Sequence, residues 1–334
     1  MKANVLDQFG SPDHFVYRDS ETPRPAAGEV LVRIAATGVN LGDALIRSGT
    51  TGLPLQTPLV LGSEAAGHVE AIGTGVTHLA IGQRVFAAPF AIGALGGGYA
   101  THIVVDAAAV FPIPDAVELD AAVALGVAGI TALHVARSVP LENRSVLIHS
   151  AAGGIGSLLL QLARSHGASS VIASIGSAAK AETVRAYGPD HVIDYSDANW
   201  QQAVRDATGD KGPDVIFDAV GGTLTAQGLA VLATEGHFIA YGGSSGTYPA
   251  ISAAEMPTFV AKAQTLKGFS LWSLLGDEQR RRATLERDFA ELYALVAAGS
   301  LKPLIGHRLP LAEAAAAHRL IESRQSVGKI ILLP

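Results

Sequence analysis

A chain of 334 residues, 49% hydrophobic and 16% charged, has enough apolar content to fill two packed domains, which excludes a disordered chain. The formal net charge of −6 and the lack of a long basic block argue against an electrostatic surface for nucleic acid or anionic membrane. There is no cysteine, which excludes disulfides, thiolate nucleophiles and cysteine-bearing zinc sites, and no two of the eleven histidines fall within one helical turn, so no helical His pair can clamp a metal.

Met1–Asp7 has no apolar h-region and no apolar run reaches spanning length, so a cytoplasmic address is expected. The first third is a string of short strand-like runs divided by glycine and proline, such as Val30–Ile34, Val69–Ile72 and Tyr99–Val105, a barrel-like pattern. From about Leu119, alanine-rich helical segments alternate with apolar strands at 145–149, 170–175, 191–194, 214–218 and 236–241, the pattern of an α/β doubly wound parallel sheet. After Thr265 a long helix and a last strand, Lys329–Leu333, are expected to rejoin the first domain. The domains are therefore placed at 1–120 with 266–334, and at 121–265. Arg280–Arg282, ahead of Leu285, Phe289, Leu292 and Val296 at helical spacing, reads as the wet face of an amphipathic helix.

The stretch that organises the second domain is Ser145–Ser157, a strand followed by Ser150-Ala-Ala-Gly-Gly-Ile-Gly156 and then by a helix with Leu158, Leu159 and Leu162 on one side. Gly153, Gly154 and Gly156 let the backbone turn sharply, approach a diphosphate and pack the helix on the strand. The helix N-terminus offers N–H groups and a positive dipole end to phosphates, so a dinucleotide is expected here, with Ser150, Ala151 and Ile155 in the same turn. After the next strand, where an NAD site places Asp or Glu on the ribose, this chain has Gly176-Ser-Ala-Ala-Lys180. Ser177 and Lys180 suit a 2′-phosphate and hence NADPH, although Lys180 equally suits a solvated helix face.

The sequence resembles the medium-chain dehydrogenase/reductase superfamily, and within it the zinc-independent quinone oxidoreductases related to zeta-crystallin. The marks are Gly38-Val-Asn-Leu-Gly-Asp43 with Arg47 and Gly49, Leu61–Gly67, Gly97–Ala100, Ser150–Gly156, Asp214–Gly222 and Gly242–Gly246. The resemblance covers essentially the whole chain. It implies a GroES-like β-barrel substrate domain, a Rossmann-type cofactor domain, a cofactor cleft between them and a homodimer. Zinc-dependent relatives carry Cys near Asn40 and His before Glu64, where this chain has Asn40 and Ser63, so no metal is expected. The resemblance places Asn40 beside the nicotinamide and substrate, where its amide could stabilise charge building on an acceptor oxygen; Asn equally suits the cap of a helix over Gly42–Arg47. Asp43 and Arg47, four apart, are expected to form a structural ion pair.

The resemblance further assigns Tyr195 to the adenosine phosphate end, Gly242, Gly243 and Ser244 to the nicotinamide side, and Arg324 to a C-terminal cofactor contact; half-buried packing for Tyr195 and plain exposure for Arg324 are the alternatives. His149 is read as a packing histidine and Glu64 as structural. The expected activity is hydride transfer from NADPH to a quinone, with reduction of a conjugated C=C bond (2-enal, 2-enone or enoyl thioester) as the alternative. Many family members carry a tyrosine where this chain has Leu45, leaving Tyr99, Tyr241 or water as proton donor. A non-catalytic, RNA-binding crystallin-like role is the third possibility, disfavoured by the net charge, and no nucleic-acid or membrane partner is expected.

Overall fold

The computed structural model describes residues 1–248, 250–276 and 278–334, side chains excepted at 278–280. Its contacts divide the chain into two compact units, Met1–Ile130 with Leu275–Pro334, and Thr131–Leu274.

The first unit opens with β1 (Lys2–Leu6), antiparallel to β2 (Phe15–Asp19), and with β3 (Glu29–Val39), which delivers the chain to α1 (Leu41–Ser48). β4 (Leu59–Val60) pairs with the other edge of β1. β5 (Ala65–Ile72), β6 (Arg84–Ala87), β7 (His102–Asp106) and β8 (Val110–Pro112) follow, then α2 (Leu119–Ala124), and α3 (Val127–Ala136) carries the chain past the boundary at Ile130. Val30, Leu31, Val32 and Ile34 of β3 are almost wholly buried, as are the consecutive Val85 and Phe86 of β6, so these strands are covered on both faces over part of their length. Tyr99 and Ala100 fall outside the strand expected there. Instead Tyr99 N–H donates to the Leu61 carbonyl (2.8 Å) and Gly98 N–H to that of Gly62 (2.9 Å), which binds the two glycine motifs together. A Cβ on Gly62, whose φ is +99°, would stand 2.6 Å from the Tyr99 ring, so glycine is required for both conformation and space.

The second unit alternates strand and helix: β9 (Ser145–His149), α4 (Gly154–Ser165), β10 (Ser170–Ile175), α5 (Ala181–Arg185), β11 (His191–Asp194), α6 (Trp200–Ala207), β12 (Val215–Asp218), α7 (Thr223–Val231), β13 (His237–Ala240), α8 (Met256–Ala261), β14 (Thr265–Gly268) and α9 (Leu271–Leu275). Its strands form one parallel sheet in the order β11-β10-β9-β12-β13-β14. The order reverses beside β9, where doubly wound folds bind ligands at the carboxyl ends of the strands. Five of these strands follow the sequence expectation closely. The sixth, β14, replaces the immediate return to a long helix expected after Thr265, and its pairing with β13 carries the second unit beyond residue 265.

The chain re-enters the first unit through α10 (Glu278–Ala297), β15 (Ile305–Pro310), α11 (Ala314–Glu322) and β16 (Lys329–Leu333). β16 lies antiparallel to β3, with Ile330 opposite Val39, inside a seven-stranded sheet of order β15-β16-β3-β5-β6-β8 in which β7 also pairs with β3. α10 buries Leu285, Phe289 and Leu292, and the Phe289 ring lies 5.0 Å from those of Phe86 and Phe111. The arginine run departs from the solvated face expected of it. Arg281 Nε donates to the Leu275 carbonyl (2.7 Å), and Arg282 donates to the Ala107 and Ala108 carbonyls while covering the Phe111 ring. The Arg280 side chain lies outside the described residues.

Candidate functional site

A buried polar cluster lies where β3 passes into α1. Asn40 occupies the N-cap position of α1. The cap itself is closed by Asp43, whose Oδ2 accepts from the Asn40 backbone N–H at 2.8 Å. This leaves the Asn40 amide for other partners. Its Nδ2 donates to Glu64 Oε1 at 2.9 Å and reaches Ser63 Oγ at 3.4 Å, while its Oδ1 accepts from Lys329 Nζ at 2.6 Å. Position thus serves the helix, as the cap reading of Asn40 expects, and the side chain serves the cluster.

Glu64 is fully buried and Lys329 is 4% exposed. Their ion pair, 2.5 Å long, is supported by the Val127 N–H, which donates to Glu64 Oε2 at 2.7 Å. Two buried charges persist only when paired and hydrogen-bonded in this way. Glu64, expected to be structural, is one of the two charges of this buried pair, and Lys329 lies outside every motif read from the sequence. The available signal was a lysine opening the otherwise apolar strand Lys329-Ile-Ile-Leu-Leu333.

On the other side of Asn40, Asp43 Oδ2 also accepts from the Tyr99 hydroxyl at 3.3 Å, and Tyr99 in turn meets His318 Nε2 at 3.0 Å. All three side chains are buried. Burial raises the Asp43 carboxyl to about 6, with the Glu64 charge adding to the rise against its bond to the Asn40 N–H. Burial lowers His318 to about 3, helped by the Arg47 charge, and holds the Tyr99 hydroxyl well above its ordinary value. Neutral His318 carrying its proton on Nε2 donates to Tyr99, which is free to donate onward to Asp43. The expected Asp43–Arg47 pair is not formed. Arg47 bonds Glu322 and the Gly10 carbonyl instead, because its side chain runs down α1 toward α11 while Asp43 is taken by the cap.

In the second unit the turn after β9 presents the phosphate-type donor set. Ser150, not a glycine, takes the left-handed conformation (φ 56°) that bends the chain, and Gly153 N–H closes the bend on the Ser150 carbonyl (2.9 Å). Gly156 has a different task. A Cβ there would lie 2.3 Å from the Ser150 carbonyl oxygen and 2.7 Å from the Ala151 Cα, so only glycine lets α4 seat on the turn. The Ser157 N–H donates to the Gly153 carbonyl at 3.0 Å, and the N–H groups of Gly154, Ile155 and Gly156, in the first turn of α4, precede the intrahelical ladder and are directed out of the helix start. Ala151 is buried and donates its N–H to the Ser174 carbonyl at 3.0 Å.

At the end of β10, Gly176 abuts Tyr195, whose hydroxyl would lie 2.5 Å from a Cβ at that position. Ser177 and Lys180 are half-buried at the two ends of the short turn that follows. These side chains and the absence of a carboxylate between Gly176 and Lys180 fit a phosphate-bearing ribose. Tyr195 also faces the ring of His149 at 6.0 Å. His149 is fully buried, bonded to Ser174 Oγ at 3.0 Å and lowered to about 4 by burial, a packing histidine as expected, although its partner is a side chain rather than backbone. The Gly242–Ser244 loop lies against Ala219: a Cβ on Gly242 would meet that carbonyl at 2.9 Å, and Ser244 N–H donates to it at 2.9 Å. The close approach that favours glycine here is therefore to the loop after β12. Tyr241 keeps a buried hydroxyl whose pKa burial raises. Arg324 is exposed, in the left-handed conformation just past α11. Among the described residues no group of three or more His, Asp or Glu side chains is placed to hold a metal, and no helix is long and apolar enough to cross a membrane.

Comparison with known proteins agrees with this architecture. The family described as alcohol dehydrogenase GroES-like domain matches residues 26–115, and that described as zinc-binding dehydrogenase matches residues 187–332. A 2-haloacrylate reductase of Burkholderia sp is 35% identical over 99% of this chain and 98% of its own length. A quinone oxidoreductase of Rattus norvegicus is 33% identical over 100% and 98%. The crystal structure of Escherichia coli quinone oxidoreductase complexed with NADPH superposes with a TM-score of 0.88 at 28% identity, covering 100% of both chains. An oxidoreductase class is defined by this pairing of a GroES-like unit with a doubly wound unit. The chain belongs to the medium-chain dehydrogenase/reductase superfamily, in its quinone oxidoreductase family.

Proposed function

We propose that this chain is an NADPH-dependent reductase whose acceptor is a quinone. The observation that carries the reading is the glycine turn opening α4 directly after β9, followed at the end of β10 by Ser177 and Lys180 with no carboxylate. Bound there, NADPH supplies a hydride; a proton from solvent or a side chain completes reduction of the quinone to the hydroquinone. The chain's own part is to hold and orient. The N–H groups of Gly154–Gly156 and the positive end of α4 take the diphosphate, and Lys180 with Ser177 takes the 2′-phosphate. Tyr195 flanks the adenosine, while Gly242, Gly243, Ser244 and Arg324 are the further cofactor contacts of this reading. Asn40 is the catalytic residue: its amide N–H donates to the acceptor oxygen on which negative charge builds. Leu45, 40% exposed on the helix that Asn40 opens, favours an apolar acceptor.

A second reading, reduction of a conjugated C=C bond, is supported by the likeness to the 2-haloacrylate reductase. Initial rates of NADPH and NADH oxidation against an ortho-quinone, a para-quinone, a 2-enal and a 2-haloacrylate, with a chelator present, separate the two. Quinone turnover with NADPH preferred is the expected result. Turnover confined to the enal or haloacrylate transfers the assignment to the second reading, and a preference for NADH overturns the roles of Ser177 and Lys180. The family expectation of a homodimer enters as part of this proposal and is tested by the mass in solution.

A further inference from the structure

We infer that Lys329 and Glu64 are a positioning pair that fixes the Asn40 amide in one of its two flips, a step that rests on the reading of Asn40 as the donor to the acceptor oxygen. An asparagine amide carries a donor end and an acceptor end of nearly equal size, and a neutral hydrogen-bonding neighbour such as a hydroxyl accommodates either. Lys329 and Glu64 do not. The ammonium only donates, so the amide oxygen must face it, and the carboxylate only accepts, so the amide nitrogen must face Oε1. One N–H is consumed by Glu64. The other meets, among the described residues, only Ser63 Oγ, at 3.4 Å, which is too long to compete with an incoming oxygen.

The surroundings are shaped for this pair. Lys329 sits on β16 one residue before the Ile330–Val39 pairing, which places it across from Asn40. A Cβ on Gly38 would collide with Glu64 Oε1 at 2.2 Å and with Lys329 Cε at 2.8 Å, and a Cβ on Gly126 would meet Glu64 Oε2 at 2.2 Å. Neither glycine has a positive φ, so it is space for the two charged groups that they provide. The Thr37 hydroxyl holds the Glu64 carbonyl at 2.7 Å from the neighbouring strand. A stable unit does not need a buried ion pair, since a well-packed neutral pair often serves as well. Orientation of a donor does need groups that each accept only one arrangement.

The primary variant is the double substitution Lys329→Met with Glu64→Gln, which leaves no buried charge unmatched. With a quinone acceptor, kcat is expected to fall roughly 10- to 100-fold while NADPH affinity and the acceptor KM stay within about threefold. Asn40→Ala alone should show a like loss, and adding it to the double variant should cost less than about twofold more, because positioning and positioned residue act as a unit. A double variant with wild-type kcat, or losses that multiply, overturns the inference. A second measurement needs no turnover: the Asn40 side-chain amide signals in a ¹⁵N–¹H spectrum, identified by their disappearance in Asn40→Ala. They are expected well separated and slow to exchange in the wild type, and shifted together with faster exchange in the double variant; signals unchanged by the double variant overturn the inference. A wild-type protein inert toward every acceptor, or Asn40→Ala with undiminished kcat, counts against the reading of Asn40, and the spectra then decide the pair independently.

Discussion

The ammonium of Lys329, at the start of the last strand, stands 2.6 Å from the amide oxygen of Asn40, 289 positions earlier in the chain. The contact exists because β16 returns to pair with β3, so the C-terminal strand completes the polar cluster at the start of α1. Removal of the Asn40 amide leaves the Lys329–Glu64 pair itself intact.

Asn40→Ala is therefore expected to lower kcat by roughly 10- to 100-fold, up to the loss that follows removal of a donor to a developing oxyanion. Stability should fall by no more than the loss of one side-chain cap, about 1 kcal/mol, because the Asp43 half of the α1 capping box is kept. Steady-state kinetics beside a thermal scan check both halves; a large fall in stability with kcat retained assigns Asn40 to the fold alone.

Lys180→Ala is expected to weaken NADPH binding by about 1–2 kcal/mol, the loss of one charge-assisted contact to phosphate, and to leave NADH nearly unchanged. Titration of each cofactor by intrinsic fluorescence measures the difference. Equal losses for the two cofactors would refute the phosphate role.

Local chemistry made the second unit legible: β9 and β10 have the bounds read from their Val/Ile-rich runs, which parallel strands buried on both faces must show, and the edge strand β11 has the bounds read from its short Val-Ile pair. β14 was not legible. Thr265-Leu-Lys-Gly268 is short, largely exposed and at the sheet edge, so it carries neither alternation nor an apolar run. The cluster in the first unit was half legible. Asn40 stood out by motif, but its tie to Lys329 and Glu64 depends on β16 pairing with β3, a contact that no local pattern encodes. Arg47 shows the same limit: spacing on α1 suggested Asp43, whereas tertiary packing supplied Glu322 and the Gly10 carbonyl.

Gly153 and Gly156, two of the three glycines of the cofactor turn, should respond differently to one methyl group. At Gly156 the new Cβ would overlap the Ser150 carbonyl at 2.3 Å, whereas at Gly153 the same oxygen is 3.3 Å away, and neither residue has a positive φ. Gly156→Ala is expected to cost about 1–3 kcal/mol of stability, as overpacking does, and to lose most NADPH affinity because α4 is displaced from the turn. Gly153→Ala should retain the fold and most of the binding. Urea unfolding and cofactor titration of both proteins test the contrast; equal behaviour would mean that the turn yields where the backbone contact says it cannot.

Asp43 gives a pH signature. Its carboxyl is raised from 3.8 to about 6, chiefly by burial, so the native chain holds that proton more tightly than the unfolded one. The stability it contributes is complete below 3.8 and is lost as pH rises through about 6. That rise corresponds to about 3 kcal/mol. Asp43→Asn keeps an oxygen for the Asn40 N–H and the Tyr99 hydroxyl but cannot ionise, so its stability relative to wild type should climb by about that amount between pH 4 and pH 8. His149 and His318, lowered to about 4 and about 3, act in the opposite sense: both must be neutral in the fold, so they withdraw stability as pH falls below 6.5. They are common to both proteins and cancel in the difference. Urea unfolding of the pair across this range is the measurement, and parallel curves would mean that Asp43 titrates in the folded chain as it does in the unfolded one.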